Sequence, residues 1–188
     1  MLHRITRFLL ALHLALLATY SHSQANAWDM WKQPGVHAIM RHATAPGFGD
    51  PDNFTIGKCN TQRNLNEAGR QEARALGKTI REQGITLSAI FSSQWCRCLH
   101  TAEQLKLGKV QELPALNSFF QGRGSSSAQT DALKKHIATL GPTDKVLYVT
   151  HQVNTTGLTG VYPDSGQIVL FRMNQNGDIE VVGTINSD

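Results

Sequence analysis

Val36-His37-Ala38-Ile39-Met40-Arg41-His42 is a mostly apolar stretch that ends in an arginine and a histidine. Two later apolar runs end in a comparable way, because residues 89–91 lead into two serines and Arg97, and residues 146–150 lead into His151. Short apolar runs bounded by turn residues are typical of buried strands. Ligands of an open α/β sheet bind beyond the carboxyl ends of its strands. The pattern therefore predicts that two arginines and two histidines meet in one site.

The remaining signals alternate between helix and strand. Asn66 is suited to cap a helix that runs to about Gln83, and Gly84 is expected to end it. Further helices are predicted over residues 94–105, 131–140 and 153–159, further strands over residues 110–113, 167–173 and 179–185, and loops over residues 44–63 and 122–127. This order predicts an α/β domain whose mostly parallel central sheet is covered by helices on both faces.

The first 27 residues have the pattern of a signal peptide. Arg4 and Arg7 provide a basic start, residues 8–18 an apolar core, and Ala25-Asn26-Ala27 a small-residue cleavage site. The apolar core is too short to span a bilayer comfortably, and no later stretch is long enough to do so. We therefore predict one domain over residues 28–188, in the periplasm or secreted, with no integral membrane span after cleavage. An uncleaved anchor is the alternative.

The charge of the chain argues against nucleic acid as a partner. The formal net charge is +4, and it falls to +2 without Arg4 and Arg7. Basic residues form no run beyond the pair Lys134-Lys135, which fits the solvated face of a helix.

Three cysteines lie in the part of the chain that would be exported. Cys96 and Cys98 would point to different faces of a helix, so they are not expected to pair with each other. Cys59 could bridge to either one, and an oxidising compartment would allow it. A bridge is favoured over three free thiols, but the partner of Cys59 stays open. A zinc site is less well supported, because the C-x-C spacing lacks a second pair.

The residues at the strand ends suit phosphate chemistry. Guanidinium groups bind oxyanions in bidentate fashion, so Arg41 and Arg97 would hold phosphoryl oxygens. Arg97 also lies near a predicted helix N-terminus, which favours an anion. His42 would attack phosphorus in its neutral form, which the usual histidine pKa of about 6.5 allows. His151 would donate a hydrogen bond to the transferred group, whereas His37, inside the first strand, is interpreted as a core residue.

A family resemblance is carried by four segments: Ile39-Met40-Arg41-His42-Ala43, residues 65–77, Ser92-Ser93-Gln94-Trp95-Cys96-Arg97 with Thr101-Ala102, and Val149-Thr150-His151. In order and spacing they resemble the histidine phosphatase superfamily (phosphoglycerate mutase-like), over nearly all of the chain after residue 27. The resemblance implies a three-layer α/β/α sandwich, His42 as the phosphate acceptor, a phosphate pocket completed by Arg41, Arg97 and His151, and no metal or other cofactor. In type, the chain resembles small exported phosphatases such as those of lipopolysaccharide core heptose phosphate, and it fits the two large branches poorly.

The usual general acids of that family are absent. Ser118 stands where the mutase-like branch places a glutamate, and Gln152 stands where the acid-phosphatase branch has an aspartate. Both are predicted to lie near substrate. Asp50 and Asp52 are the available substitutes for the acid, although a solvated loop is the expected setting of both. The adjacent residues 119 and 120 are phenylalanines that could stack on a sugar face, but we interpret them as core residues.

The leading hypothesis is an exported phosphatase that hydrolyses a phosphomonoester or similar phosphate through a phosphohistidine on His42, without a metal. Its substrate would be a small molecule or an envelope-linked phosphate, and Thr44 and Arg63 in the long loop are further candidate contacts for it. The alternative is a catalytically weak phosphate- or phosphosugar-binding envelope protein that lacks the general acid. A redox or metal-binding envelope protein built on the cysteines and histidines is a third hypothesis.

Overall fold

The computed structural model describes residues 27–187. Most of the predicted signal peptide therefore lies outside the described residues. The described chain begins with helical residues 27–32, in which Trp31 is fully buried and stacks on Trp28 with 5.9 Å between the ring centroids. Within residues 27–187, no helix is long and apolar enough to cross a membrane.

A six-stranded sheet with the order β3-β2-β4-β1-β5-β6 forms the centre of the domain. Its strands are β1 (His37–Arg41), β2 (Ala89–Ser92), β3 (Val110–Glu112), β4 (Val146–Thr150), β5 (Ile168–Met173) and β6 (Ile179–Ile185). β1, β2, β3 and β4 pair in parallel, whereas β5 pairs antiparallel with both β1 and β6. The α/β prediction is confirmed, and the sheet is mixed because the predicted C-terminal hairpin joins its edge.

Helices cover both faces of this sheet, as the strand pattern predicts. They are α1 (Glu67–Glu82), α2 (Cys96–Leu105), α3 (Ser126–Ile137) and α4 (Gln152–Thr159). Ala38 and Met40 share one buried cluster with residues of α1 and α2, while Ile39 shares the other with residues of α3 and α4. Alternate residues of β1 thus face opposite layers, which makes the domain a three-layer sandwich.

Helix ends follow the capping signals at some positions and not at others. The Asn66 side chain accepts a hydrogen bond from the Gly69 N–H at the start of α1, as predicted. α3 begins at Ser126 and ends at Ile137, so the predicted helix is confirmed over residues 131–137, but both of its ends lie earlier in the chain than predicted. The serine-rich segment was interpreted as a loop, but the Ser125 side chain caps the helix by accepting from Ala128 N–H.

A disulfide joins Cys59 in the long loop to Cys96 at the start of α2. This is one of the two pairings that the sequence left open, and Cys98 remains a free, buried thiol. The bridge fixes the loop of residues 44–63 to the helix that carries Arg97.

Candidate active site

A cavity of about 160 Å³ lies where β1 and β4 end. Seven of the eight predicted site residues line it: Arg41, His42, Arg63, Arg97, Ser118, His151 and Gln152. Thr44 does not, because its N–H donates to Glu72 and its carbonyl lies against Gly69 at the start of α1. The prediction of Thr44 as a substrate contact therefore finds no support in the structure.

His42 follows β1 directly and is 2% exposed. Its backbone N–H donates to Thr150 of β4, which fixes the residue between the two strands. The ring Nδ1 lies 2.8 Å from the carbonyl oxygen of Ala43. A carbonyl can only accept, so Nδ1 carries the proton and the lone pair of the ring lies on Nε2. Burial, and then the positive charge of Arg97, hold the pKa of His42 well below its usual value, so the ring is neutral.

Arg97 is the second residue of α2 and uses every one of its N–H groups. Nε–H donates to His42 Nε2 at 3.2 Å. One terminal nitrogen donates to Asp50 Oδ1 at 2.7 Å and to the Arg63 carbonyl at 3.4 Å, and the other donates to Asp50 Oδ2 at 3.2 Å and to His151 Nδ1 at 3.3 Å. The carboxylate thus holds one edge of the guanidinium group, and the two histidines accept from the edge that faces the cavity.

Asp50 is buried, and the prediction of a solvated setting for it was wrong. Its side chain is 4% exposed and accepts four hydrogen bonds, two from Arg97, one from the Trp95 indole at 3.0 Å and one from the Arg63 backbone N–H at 3.1 Å. Burial alone would raise the pKa of Asp50, but the hydrogen bonds and charge of Arg97 outweigh it and lower the pKa. Asp50 is therefore an ionised partner of Arg97 and has no proton to give. Asp52 is exposed, as expected.

His151 follows β4 and is also neutral, because burial and then the charge of Arg97 keep its pKa well below the usual value. Its Nδ1 accepts from Arg97, so its proton lies on Nε2, 2.9 Å from the Ser93 hydroxyl. The Ser93 hydroxyl in turn donates to Asn117 Oδ1 at 3.2 Å. The predicted donation from His151 to a phosphoryl group therefore requires a proton on Nδ1, which a bound dianion would favour.

Two further guanidinium groups face the cavity. Arg41 donates to the Pro163 carbonyl at 3.2 Å, but its buried Nε–H has no hydrogen-bond partner among the described residues. Arg63 donates to the carbonyl oxygens of Gly49 and Ala45. Burial, and then the charge of Arg97, lower its pKa to about 10, which leaves it charged at neutral pH. A buried donor without a partner is costly. A bound anion in the cavity could accept from the Arg41 Nε–H and remove that cost.

One backbone donor at the helix N-terminus before Arg97 is not free for an anion, contrary to expectation. The Cys96 N–H donates to the side chain of Gln62 at 2.9 Å, so the loop of residues 44–63 caps α2. Ser118 is buried, and its hydroxyl accepts from the Phe120 N–H at 3.3 Å. Gln152 begins α4 and donates to the Thr156 hydroxyl at 2.9 Å. Both residues line the cavity, each with one hydrogen-bonding group already engaged.

Several cavity residues were not identified from the sequence. Phe48 and Tyr162 line the cavity, and so does Phe120, which is 36% exposed, so its interpretation as a core residue was wrong. The signal available for Phe48 was its position between two glycines beside Asp50, which is unusual for a core aromatic. Within residues 27–187, no group of three His, Cys, Asp or Glu side chains is arranged to hold a metal ion.

Solved structures share this fold at low sequence identity. The protein histidine phosphatase SixA complexed with tungstate has 16% identity and a TM-score of 0.60, covering 81% of this chain and 97% of that one. An alpha-ribazole phosphatase from Shigella flexneri has 14% identity and a TM-score of 0.59, with coverages of 81% and 96%. A phosphoserine phosphatase variant from Entamoeba histolytica bound to phosphoserine has 14% identity and a TM-score of 0.60, with coverages of 81% and 98%.

No curated protein matches the chain in sequence. The sequence motifs fit the two large branches of the family poorly, but the family comparison assigns the chain to one of them. Residues 38–136 match the histidine phosphatase superfamily, branch 1. Because this span is more than half of the 188 residues, the chain belongs to the histidine phosphatase superfamily and is a histidine-nucleophile phosphatase.

Proposed function

We propose that the protein is an exported phosphatase that hydrolyses a phosphomonoester or similar phosphate through a phosphohistidine on Nε2 of His42, without a metal. One observation carries the proposal. The hydrogen bond from His42 Nδ1 to the Ala43 carbonyl leaves the Nε2 electron pair in the cavity that Arg41, Arg63 and Arg97 surround. A neutral nucleophile beside three guanidinium groups is suited to attack a phosphoryl dianion.

In the first step, the phosphoryl oxygens replace His42 and His151 as acceptors on the cavity edge of Arg97, which releases the lone pair of His42 Nε2. They also accept from the unpartnered Nε–H of Arg41. The His42 Nε2 electron pair forms the N–P bond, the bond from phosphorus to the leaving group breaks, and the leaving group departs with its electron pair. The Nδ1–H continues to donate its hydrogen bond to the Ala43 carbonyl oxygen, whose partial negative charge offsets the positive charge that develops on the phosphorylated ring.

In the second step, a water molecule attacks phosphorus on the side opposite His42. The N–P bond breaks, its electron pair returns to Nε2, and the proton of the water leaves with the phosphate or to solvent. The neutral imidazole is thereby restored, still oriented by Ala43 and by the backbone hydrogen bond to Thr150.

The leaving group receives little help. No carboxyl side chain lines the cavity among the described residues, and Asp50 is held ionised by Arg97. A missing general acid costs a factor of about 10² to 10⁴ on poor leaving groups. The proposed substrates are therefore phosphates with good leaving groups, such as phosphoramidates or anomeric phosphates.

Metal independence is proposed on electrostatic grounds. Three guanidinium groups around the two histidines already supply the positive charge that a catalytic cation would supply. They would also repel a cation from the imidazole nitrogens, which are engaged by Ala43, Arg97 and Ser93.

Export is proposed from the leader pattern of residues 1–27 and from the disulfide between Cys59 and Cys96, since disulfides persist in oxidising compartments. The periplasm or the extracellular space is the proposed location, and a small or envelope-linked phosphate the proposed substrate. The type of the lipopolysaccharide core heptose-phosphate phosphatases fits the size and the leader. The names of the solved structures, which include a protein histidine phosphatase and a phosphoserine phosphatase, add phosphoramidates and small phosphomonoesters as candidates.

The test is phosphate release from p-nitrophenyl phosphate by the full chain in excess EDTA. The nitrophenolate leaves without a general acid, so the assay reports on the nucleophile. Turnover should vanish in His42→Ala and persist in the control His100→Gln, a half-buried histidine of α2 that does not line the cavity. A phosphoenzyme quenched in alkali should carry phosphorus on Nε2 of His42, as read by ³¹P NMR.

The absence of a carboxyl group from the cavity lining also favours the second candidate, a phosphate-binding envelope protein with little turnover. That candidate predicts that wild-type turnover equals that of His42→Ala, while inorganic phosphate still binds and loses affinity in Arg41→Ala. Turnover that survives in a folded His42→Ala variant would contradict the proposed nucleophile.

A further inference from the structure

Three aromatic side chains of the cavity lining are exposed to solvent. Phe48, Phe120 and Tyr162 all line the cavity, and they are 85%, 36% and 71% exposed. Within the described residues, the other exposed large hydrophobic side chains are the aliphatic Ile56 and Val181. Apolar side chains gathered at the mouth of a polar cavity are typical of a ligand-binding groove.

We propose that Phe48, Phe120 and Tyr162 form the subsite for the leaving group, and that this group is a planar aromatic ring bonded to phosphorus through oxygen or nitrogen. The inference rests on the proposed function and narrows its substrate class. The cavity then has two ends, a cationic one for the phosphoryl group and an aromatic one for the ring.

The three rings come from separate parts of the chain, so their convergence is a property of the fold. Phe48 belongs to the loop of residues 44–63, Phe120 begins the short 3-10 helix Phe120–Gly122, and Tyr162 follows α4. Phe48 and Phe120 meet edge to face, with 5.1 Å between their ring centroids. That geometry lies in the favourable range for aromatic pairs, about 4.5–7 Å, and a planar ligand ring can extend the same arrangement.

The backbone around the rings is built to bring the two loops together. Gly47 and Gly49, on either side of Phe48, have φ of +92° and +66°. Such positive φ values favour glycine, and a Cβ on Gly49 would lie 2.7 Å from the end of the Gln121 side chain, which would have to move. Gln121 itself has φ of +57°, and its side chain accepts from the Asp50 N–H at 3.3 Å. The aromatic pair is therefore positioned by contacts that also hold Asp50.

Few polar groups near the rings are left for a sugar. A sugar hydroxyl array is recognised by several free donors and acceptors. The Ser118 hydroxyl already accepts from the Phe120 N–H and the Gln152 amide already donates to Thr156, which leaves the Ser118 O–H and the Gln152 amide oxygen as the main groups there for hydroxyls. Among the described residues, no Asp, Glu or Lys lines the cavity. At about 160 Å³, the cavity is smaller than the roughly 300–1,000 Å³ of larger ligand sites, so it fits a phosphoryl group and one ring.

The chemistry of the reaction points the same way independently of the rings. With no carboxylic acid at the cavity, the leaving group must depart without a proton from the protein. Aryl oxides and imidazoles are better leaving groups than alkoxides, because the charge that they carry away is delocalised into the ring. A leaving group with an aromatic ring bonded to the phosphoryl group through oxygen or nitrogen would pack against the aromatic lining and would depart without a general acid.

The test measures binding of non-hydrolysable phosphonates to the full chain by calorimetry. Phenylphosphonate and methylphosphonate share the phosphonate group, and the first carries a phenyl ring where the second carries a methyl group. Phenylphosphonate should bind about tenfold more tightly than methylphosphonate, because its ring can pack against the aromatic side chains. Phe48→Ala and Tyr162→Ala should each remove most of that preference and leave the affinity for methylphosphonate unchanged. Ile56→Ala truncates an exposed side chain of the same loop outside the cavity and should change neither affinity.

The outcomes separate this inference from the proposed function. If methylphosphonate and phenylphosphonate bind equally, or if Phe48→Ala and Tyr162→Ala keep the preference, the aromatic subsite is wrong while the phosphate site stands. Tighter binding of a sugar methylenephosphonate than of phenylphosphonate would overturn the aromatic ring in favour of a sugar. If methylphosphonate does not bind, the anion site and the proposed function fail with it.

Discussion

Replacing Asp50 with asparagine should destabilise the protein strongly although the shape of the side chain hardly changes. Both carboxylate oxygens accept from Arg97, and each side chain of the pair is only 4% exposed. Oδ1 also accepts from the Arg63 N–H and Oδ2 from the Trp95 indole. An amide offers one oxygen, so two of these four hydrogen bonds are lost in either orientation, and its NH₂ group faces N–H donors.

The size of the effect follows from the buried charge. Removing one partner of a buried ion pair costs about 3–5 kcal/mol, because the other charge stays desolvated and unpaired. The oxygen that remains in Asp50→Asn keeps part of the bonding, so we expect the lower end, about 3 kcal/mol. In a domain of this size each kcal/mol corresponds to about 2–4 °C, which gives a fall in Tm of roughly 6–12 °C.

The assay is thermal unfolding of wild type, Asp50→Asn and Asp52→Asn at pH 7. Asp52 lies two residues further along the same loop and is exposed, so its variant removes the same charge without removing a buried partner. Its Tm should shift by less than about 2 °C, since surface substitutions are usually within about 0.5 kcal/mol. Equal Tm values for the two variants would refute the reasoning, because the ion pair would then contribute nothing that a surface charge does not.

Three further predictions concern the frame around the site. Cys59→Ser opens a bridge with a sequence separation of 37 and should lower the free energy of unfolding by about 4 kcal/mol; excess dithiothreitol should lower the Tm of the wild type but not of the variant. Gly77→Ala would place a Cβ 2.0 Å from the Leu105 carbonyl oxygen, so a urea titration should show a loss of at least about 2 kcal/mol; an unchanged midpoint would contradict this close packing. Burial, and then the charge of Lys145, lower the pKa of His37 from 6.5 to about 4. The unfolded chain therefore binds the proton first, and about 3 kcal/mol of stability present above pH 6.5 is lost as the pH falls towards 4. His37→Gln should show a shallower loss across that window, and equal slopes would count against the assignment.

The fold follows from local signals wherever those signals are strong. β1, β2 and β4 are short apolar runs with turn residues at their ends, and the predicted strands match the observed ones. β1 and β4 are buried on both faces, which is the usual setting of a short, nearly continuous apolar run. The start of α1 was also predictable from a local signal, because the side chain of Asn66 caps the helix within its own first turn. The start of α3 was missed because serine favours both loops and N-caps, and only the tertiary packing of Leu133 and Ile137 decides between them.

The candidate site was predictable only as far as chemistry marks the strand ends. The arginines and histidines at the ends of β1 and β4 can be identified from sequence, because polar and charged residues directly after buried strands need a function or a partner. Asp50 cannot be identified in this way. Its burial depends on Arg97 and Trp95, more than forty positions away, and on a disulfide whose second cysteine the sequence left open. Tyr162 was missed because nothing around it in sequence separates an exposed aromatic from a buried one, whereas the two glycines beside Phe48 were a usable signal.

The contact between Asp50 and Arg97 also explains how the site is matched to its ligand. Three guanidinium groups face the cavity, the histidines are neutral, and the carboxylate of Asp50 offsets one charge, which leaves two net positive charges among these groups. A phosphomonoester dianion balances them, whereas a site without Asp50 would keep one buried positive charge unpaired after binding. Asp50 binds the far edge of Arg97, so it sets both the charge and the orientation of the guanidinium group without competing for the edge that faces His42. A carboxylate inside an anion site is thus compatible with phosphate binding, because it occupies donors that the phosphate does not need.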